Sequence, residues 1–362
     1  MQQLEPTLDA GSQENKPMKF ILSLLLTCFS ILCVAQEDSV QSIMMRGIDY
    51  HDNGQYDLSL IEYQKAYNLE PKNAFVNYEM ALSHYYLGNK TRAEKFAKTA
   101  SQEASENGLQ AIILLGAIYD ERGDHKKSIK MYREGIKTFG DYYLLWYNLG
   151  VTANTMKDYA LAEEAFLKAI NNKLDHAGSH YALASIMMMQ NRRVEALYPL
   201  YFFLMLEADT ERSEMAFSDV VRLMQRGVVT KRDENGQLVI ELQVQNPDKQ
   251  DDPMGAGDLF LSMLQAANSN VDNAGKSEFE HFKTNTKDIF MFMNNQDFGD
   301  RKDFFTTYYI PFFAEIVESN YYETFVHYVR QSAYPDSQAW VMSHTDELGD
   351  FFDWLDNLDI DQ

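Results

Sequence analysis

Small residues recur at a near-constant interval along the first half of this 362-residue chain. They are Gly47, Ala81, Gly116, Gly150 and Ala184, and the steps between them are 34, 35, 34 and 34 residues. A repeat of this length is typical of a helix-turn-helix unit, which cannot bury its apolar face alone and must stack on its neighbours. The interval therefore predicts five stacked helical hairpins.

The residues around these positions suit closely packed hairpins. Small residues also occur in each second helix, where they let the two helices of a hairpin approach. They are Ser59, Ala93, Ser128, Ala162 and Ala196. Glycines stand where three of the first helices should end, because a left-handed backbone costs least at glycine. They are Gly54, Gly88 and Gly123. Aromatic side chains are expected to fill the gaps between hairpins. They are Tyr63, Tyr132 and Phe166.

In this register of small and aromatic residues the chain resembles the tetratricopeptide-repeat family over residues 38–209. The resemblance implies a mainly α fold, a right-handed superhelix of about five repeats. In this family the first helices line a concave groove in which a protein or peptide segment lies. The resemblance therefore implies a protein-interaction scaffold rather than an enzyme.

Projecting the first helices onto that groove predicts its lining residues. They are Met44, Ile48, His51, Tyr78, Tyr85, Tyr86, Ile113, Asp120, Tyr147, Asn154, Tyr181 and Met188. Tyrosine is enriched in binding surfaces because it combines a large apolar area with a hydroxyl and few rotatable bonds. Family members that clamp an acidic chaperone C-terminus carry Lys, Arg and Asn on this surface. The mostly apolar and aromatic set here favours an extended or helical peptide with apolar anchors.

Residues 210–362 do not repeat and are predicted to form a mostly helical C-terminal domain. A β-hairpin is expected near residues 227–245, where Asn235-Gly236 supplies the turn. Helical patterns follow, the last of them over residues 340–358. The second helix of the fifth hairpin contains Pro199 and is apolar nearly all round, from Tyr198 to Leu206. Since an exposed end helix would have a polar face, we expect the C-terminal half to cover it.

The N-terminal region predicts export. Residues 1–35 read as an extension followed by a signal peptide over 18–35, whose apolar core is too short to span a bilayer. Small residues in Cys33-Val34-Ala35 favour cleavage before Gln36, and a periplasmic or secreted mature chain follows. Thr27 stands where a lipobox normally has Gly, Ala or Ser, which disfavours a lipid anchor on Cys28. The mature chain is expected to contain no membrane span.

The formal charge of −22 argues against a nucleic-acid partner, because phosphate binding needs a basic face. Both cysteines lie inside the signal, so a mature chain without it has no cysteine for a disulfide, a thiolate metal site or a nucleophile. No catalytic motif and no cofactor motif is recognised, and the pattern leaves the oligomeric state open. His176 and His180, four residues apart, could share a zinc ion. The competing interpretation makes Asp175 a helix cap and His180 a packing residue, and it is favoured.

Two other function classes stay open. The tyrosines of the groove could stack on cell-wall or dietary glycans. The C-terminal half could hold an unrecognised enzyme, for which a buried cluster of carboxylates or histidines in a cleft would be the sign.

Overall fold

The computed structural model of the protein describes residues 39–235, 238–242, 252–268 and 276–358. Residues 1–35, predicted as extension and signal, lie outside the described residues. Ten helices occupy residues 40–206, as predicted, and this described stretch contains no strand. They are α1 Val40–Asp52, α2 Tyr56–Leu69, α3 Ala74–Tyr86, α4 Lys90–Ala100, α5 Glu106–Glu121, α6 His125–Phe139, α7 Tyr143–Thr155, α8 Tyr159–Asn172, α9 Ala177–Met189 and α10 Arg193–Leu206. The predicted fold class is confirmed.

The chain divides into two compact units after Glu103. The first unit contains α1–α4, and the second contains every later element. Hairpins three to five therefore share a unit with the non-repeating residues from 210 onward. The predicted domain boundary at residue 209 marks the end of the repeating sequence and stays a prediction.

Short polar side chains begin several first helices. The Ser39 hydroxyl accepts a hydrogen bond from the Ser42 amide, and Ser105 caps α5 in the same way at Gly108. These caps satisfy amides that have no partner inside the helix. The prediction that Asp175 caps α9 was wrong. His176 holds the cap position of α9, and Asp175 pairs instead with the Lys173 ammonium 2.8 Å away.

A residue with a left-handed backbone follows each first helix, seven positions after the small residue of its repeat. The three predicted glycines have φ values of 72°, 75° and 79° there. In the fourth and fifth hairpins the same position holds Lys157, with φ of 60°, and Asn191, with φ of 56°. A side chain with a Cβ is strained in this region, so the fourth hairpin forms its turn at a cost of about 1–2 kcal/mol.

Inside three hairpins a glycine of the first helix lies against an aromatic ring sixteen residues later. The pairs are Gly47 with Tyr63, Gly116 with Tyr132, and Gly150 with Phe166. A Cβ on Gly116 would lie 2.3 Å from two ring carbons of Tyr132. The equivalent positions of hairpins two and five hold Ala81 with Ala97 and Ala184 with Leu200, all of them buried. Glycine therefore occurs where the ring needs the space, and alanine where the partner is aliphatic.

The remaining elements are mostly helical. They are α11 Glu211–Gln225, β1 Val228–Arg232, β2 Leu238–Leu242, α12 Pro253–Asn268, α13 Glu278–Asn294, a π-helical turn Phe305–Tyr309, α14 Ile310–Glu318, α15 Tyr322–Arg330, α16 Pro335–Ser343 and α17 Thr345–Asp356. The strands pair antiparallel, with Val228 opposite Leu242 and Arg232 opposite Leu238. The predicted turn glycine, Gly236, lies outside the described residues. The single helix predicted over 340–358 is two helices, because the backbone at His344 is not helical (φ −124°, ψ 42°).

The C-terminal half covers α10, as predicted. Every residue from Arg193 to Met205 is buried, including Pro199 within the helix. The Tyr201 ring contacts Phe290 of α13, at 5.1 Å between centroids, and its hydroxyl lies 2.7 Å from the Thr286 hydroxyl. Hydrophobic burial of this extent joins the fifth hairpin to α13 and α14 in one core.

A buried arginine joins α10 to the next two helices. The Arg193 guanidinium donates to the carbonyls of Leu223 and Met224 in the last turn of α11 and to the Ser262 hydroxyl of α12. The Asp258 carboxylate lies 3.4 Å from Nη1. A cation at a helix C-terminus stabilises carbonyls that have no partner inside the helix.

Candidate functional site

The predicted groove residues occupy two equivalent positions of the repeat. One position lies three residues before the small residue of the first helix and holds Met44, Tyr78, Ile113, Tyr147 and Tyr181. The other lies four residues after it and holds His51, Tyr85, Asp120, Asn154 and Met188. Residues seven apart lie two turns apart on the same helix face. The two remaining predictions, Ile48 and Tyr86, lie next to this face.

In the first unit, α1 contacts α3, so two first helices form one surface. Met44 is only 1% exposed and belongs to the core, so a partner could not reach its side chain. The sequence did not reveal this burial, because the helix positions that face the groove and those that face the next helix differ by a single residue. The other predicted residues of this unit are partly exposed, and Tyr86 is 56% exposed.

An aromatic cluster occupies the end of this surface. The Tyr56 and Tyr86 rings stack with centroids 5.1 Å apart, and the His51 ring meets both edge-on. His51 Nδ1 lies 2.8 Å from the Ser83 hydroxyl, which fixes the ring. Burial lowers the pKa of His51, so the ring is neutral at physiological pH. Tyr56 was not among the predicted residues, because it begins a second helix.

A titratable carboxyl lies beside the predicted tyrosine of α3. The pKa of Glu79 is raised to about 7, mainly by burial and also by the nearby Asp52 carboxylate, while a hydrogen bond from the Tyr63 hydroxyl opposes the shift. Burial also raises the pKa of Tyr78 to about 12, with a smaller contribution from Glu79. This surface therefore changes its charge near neutral pH.

In the second unit, α5 contacts α7 and α7 contacts α9, so three first helices lie side by side. All six predicted residues on them are partly exposed: Ile113, Asp120, Tyr147, Asn154, Tyr181 and Met188. Because equivalent positions of adjacent repeats face the same way, these residues form two rows of three. We call this set the first-helix surface of the second unit.

The two tyrosines of this surface are held by contacts from neighbouring segments. The Tyr147 ring meets the His176 ring edge-on, with centroids 4.9 Å apart, and also contacts Phe166. The His176 ring is in turn fixed, since its Nδ1 lies 2.7 Å from the Ser179 hydroxyl. Tyr181 packs on Phe203 at 5.0 Å. Rings that are already ordered lose little entropy when a ligand binds.

Helix α11 adds charged side chains to the edge of the surface, which the sequence did not predict. The Arg212 guanidinium lies 5.7 Å from the Tyr181 ring centroid, over its face. Arg222 pairs with Asp219 on the same helix and reaches the sulfur of Met188 at 3.6 Å. These contacts bridge a gap of about 30 residues in sequence, across the end of the repeats, so no local pattern signals them.

A family model of the tetratricopeptide repeat matches residues 109–141 and 143–176. These segments cover most of hairpin α5–α6 and all of hairpin α7–α8, and their first helices carry four of the six residues above. Residues 109–141 and 143–176 are tetratricopeptide repeats. The predicted resemblance to this family is confirmed over these two segments.

Solved structures of several proteins, two of them described as tetratricopeptide-repeat proteins, are similar to about half of the chain. One is a thermophilic protein of Thermus thermophilus, at 20% identity, covering 51% of this chain and 97% of that one with a TM-score of 0.40. PilF of Pseudomonas aeruginosa is 16% identical, covering 51% and 88% with a TM-score of 0.45. YrrB, described as having an unusual peptide-binding site, is 15% identical, covering 52% and 96% with a TM-score of 0.40. No curated protein matches the chain.

Asp120, on a first helix of these tetratricopeptide repeats, already has a partner. Its carboxylate lies 2.7 Å from His125 Nδ1 in the second helix of the same hairpin. A ligand cation would therefore compete with His125 for the same oxygen.

The histidine pair of the fifth hairpin has separate roles. His180 is completely buried, with Nδ1 2.6 Å from the Tyr309 hydroxyl and Nε2 2.7 Å from the Leu174 carbonyl. Burial lowers its pKa to about 3. Both ring nitrogens are thus engaged, as the packing interpretation requires. In the part of the chain that the structure describes, no three His, Cys, Asp or Glu side chains are grouped to hold a metal ion.

Proposed function

We propose that this protein is an exported interaction module that binds a peptide segment of another protein on the first-helix surface of its second unit. The observation that supports this proposal is the pair of three-residue rows across α5, α7 and α9. All six side chains are partly exposed, and the two tyrosines are ordered by neighbouring rings. Repeats of this family serve protein interaction, and nothing in the arrangement requires a catalytic step.

The chemistry of the rows indicates the kind of peptide. Ile113, Tyr147 and Tyr181 offer apolar area for side-chain anchors. The Asn154 amide can both donate and accept, as the backbone of an extended peptide requires. At the α11 edge, Arg212 lies 3.5 Å from the Glu207 carboxylate and Arg222 pairs with Asp219, so an acidic ligand residue would exchange with these carboxylates. We infer an extended segment with apolar anchors and an acidic residue near the end that meets α11.

Export is part of the proposal. It is supported by the apolar run and the small residues before Gln36, which the sequence places ahead of the first repeat. Within residues 39–235, 238–242, 252–268 and 276–358, every helix is too short or too polar to cross a bilayer. Isolation of the natural protein with an N-terminus near Gln36 from an envelope or secreted fraction would support export. An intact Met18 N-terminus in cytoplasmic extract would contradict it.

Affinity capture with residues 36–362, followed by peptide arrays made from the captured protein, tests the binding site. Tyr181→Ala and Asn154→Ala should each weaken binding of the array peptide. A hot-spot truncation costs about 2 kcal/mol or more, a loss of roughly thirtyfold in affinity.

Matched controls lie on the second helix of the fourth hairpin. Tyr159 is also a partly exposed tyrosine packed on the same core, and Asn172 is an exposed asparagine. Tyr159→Ala and Asn172→Ala should leave binding unchanged. If the control variants and the surface variants are folded and bind the array peptide equally well, the first-helix surface is not the binding site. Capture of peptidoglycan or soluble glycans by the wild type, lost in Tyr181→Ala, would instead favour the glycan alternative.

A further inference from the structure

A cavity of about 340 Å³ lies in the C-terminal half, and none of the six residues of the first-helix surface lines it. Its apolar wall comes from Phe217 and Val221 of α11 and Phe282 of α13. Its polar groups include Gln265 of α12, Asn285 of α13 and Arg330 at the end of α15. Four helices thus meet around one space, and a wider cleft that shares Phe217 and Val221 adjoins it. Most small-ligand sites combine an apolar wall with a few convergent polar groups in this way.

The arginine of this cavity is unusual because it is buried and only partly neutralised. Arg330 is 2% exposed, and its guanidinium lies over the rings of Tyr334, at 4.2 Å, and Phe279, at 4.8 Å. Nη1 donates to the Ser337 hydroxyl at 2.9 Å. The paired carboxylate, Asp336, is 3.7 Å away and 62% exposed, so water screens it.

One donor of this guanidinium is unsatisfied. Among the described residues, Arg330 Nε has no hydrogen-bond partner, although it is buried. Burial also lowers the pKa of the Arg330 guanidinium, although Asp336, Tyr334 and Glu278 oppose this shift. Buried donors in native proteins are nearly always bonded, and buried charges are paired. A planar guanidinium offers parallel donors that match a carboxylate.

The other charged group of the cavity is already engaged. Glu278 is exposed, and its carboxylate accepts a hydrogen bond from the Tyr334 hydroxyl at 2.5 Å. The tyrosine that stacks on Arg330 is therefore held in place by Glu278. This arrangement positions the guanidinium without neutralising it by direct contact.

We propose that this cavity binds a carboxylate that carries one apolar or aromatic group. The carboxylate would pair with Arg330, the side chain would pack on Phe217, Val221 and Phe282, and the amides of Gln265 and Asn285 would bond the polar atoms between. The volume is at the small end of ligand sites, about 300–1,000 Å³, which suits a ligand the size of one amino acid. Such a carboxylate occurs both in free small acids and at the C-terminal residue of a peptide.

Isothermal titration of residues 36–362 with three probes tests this inference. The probes are N-acetyl-phenylalanine, its neutral amide, and an alanine tetrapeptide extended by a C-terminal phenylalanine with a free carboxylate. The acid should bind saturably and at least tenfold more tightly than the amide. Tighter binding of the peptide than of the acid identifies peptide C-termini as the source, whereas binding of the acid alone identifies free acids. Absence of saturable binding for both carboxylates, or equal binding of acid and amide, overturns the proposal.

Variants locate the binding. Val221→Trp fills the cavity and should reduce affinity for the better carboxylate probe at least tenfold. Met215→Trp is the matched control, because Met215 lies on the same helix, is 56% exposed and does not line the cavity. Arg330→Gln should abolish the preference for acid over amide. Equal binding by both tryptophan variants, or an undiminished preference in folded Arg330→Gln protein, overturns the assignment. If Arg330→Gln does not fold, the two tryptophan variants decide the matter. Because these residues lie outside the first-helix surface, loss of peptide capture there would leave this result unaffected.

Discussion

The pairing of glycine with an aromatic ring inside a hairpin makes a quantitative prediction. In Gly116→Ala the new Cβ would lie 2.3 Å from two carbons of Tyr132, whereas nonbonded carbons rest about 3.5–4.0 Å apart. Tyr132 is 1% exposed, so the ring cannot retreat into solvent. Overpacking of this kind costs about 3 kcal/mol, and the better helix propensity of alanine returns about 1 kcal/mol. We expect a net loss of about 2 kcal/mol in the free energy of unfolding.

The fifth hairpin supplies the compensating change, since it pairs Ala184 with Leu200 at the same two positions. Tyr132→Leu alone should cost about 2 kcal/mol by leaving a cavity. In the double variant the added methyl group occupies part of that cavity. We therefore expect a total loss of about 2 kcal/mol rather than 4, which is an interaction energy of about 2 kcal/mol in the double-mutant cycle.

Urea unfolding followed by circular dichroism measures all four proteins of this cycle. The dependence of the free energy of unfolding on urea concentration must be the same in each variant. Shifts in the urea midpoint then report changes in stability. A neutral or stabilising Gly116→Ala would refute the argument that the ring excludes a side chain. Simple addition of the two single losses would refute the coupling between the positions.

Three further outcomes follow from the structure. A chain ending at Asp209 should aggregate or bind a hydrophobic dye, since it lacks the α13 and α14 rings that cover Tyr201; a soluble, dye-silent product would contradict the shared core. Burial holds the pKa of His180 at about 3, against 6.5 in the unfolded chain. The neutral ring therefore contributes its full share to the free energy of unfolding above pH 6.5, and this share is lost as the pH falls toward 3. Between pH 7 and 4.5 the free energy of unfolding of the wild type should therefore fall by about 2–3 kcal/mol more than that of His180→Asn in parallel urea titrations. Equal losses would count against a buried neutral ring. Lys157→Gly should stabilise the protein by about 1 kcal/mol in thermal unfolding because it relieves a left-handed lysine, while the control Lys168→Gly, within α8, should destabilise it by a similar amount.

The parts of this structure that the sequence predicted are those set by local spacing. The step from Gly116 to Gly150 determines where α5 and α7 run, and the ends of the first helices follow at a fixed offset. Capping was less predictable, as Asp175 shows, because a charged neighbour such as Lys173 competes for the same carboxylate. Short-range periodicity therefore determines the elements better than their individual side-chain bonds.

The parts that the sequence did not predict depend on contacts between distant segments. His180 bonds to Tyr309, 129 residues later, so its surroundings cannot be inferred from the fifth repeat. The same holds for Arg212 over Tyr181, and for the cavity around Arg330, which four helices build. The burial of Met44 is a different case, since it depends on the rotation of one helix by a single position. Candidate sites on repeat faces were thus partly predictable, and the cavity was not.

The burial of α10 from Arg193 to Met205 has a consequence for the number of repeats that such a chain can carry. A hairpin can be added to such an array by duplication only where a hairpin on each side offers it a surface to pack on. The outer face of α10 instead presents rings such as Phe202 to Phe312, so a sixth hairpin after Leu206 would find no matching surface. The loop at Gly140 lies between hairpins α5–α6 and α7–α8, which both match the repeat model, so an inserted hairpin would have a hairpin to pack on at each side. Insertions or deletions of whole hairpins should therefore be tolerated there and rejected at the C-terminal end of the array.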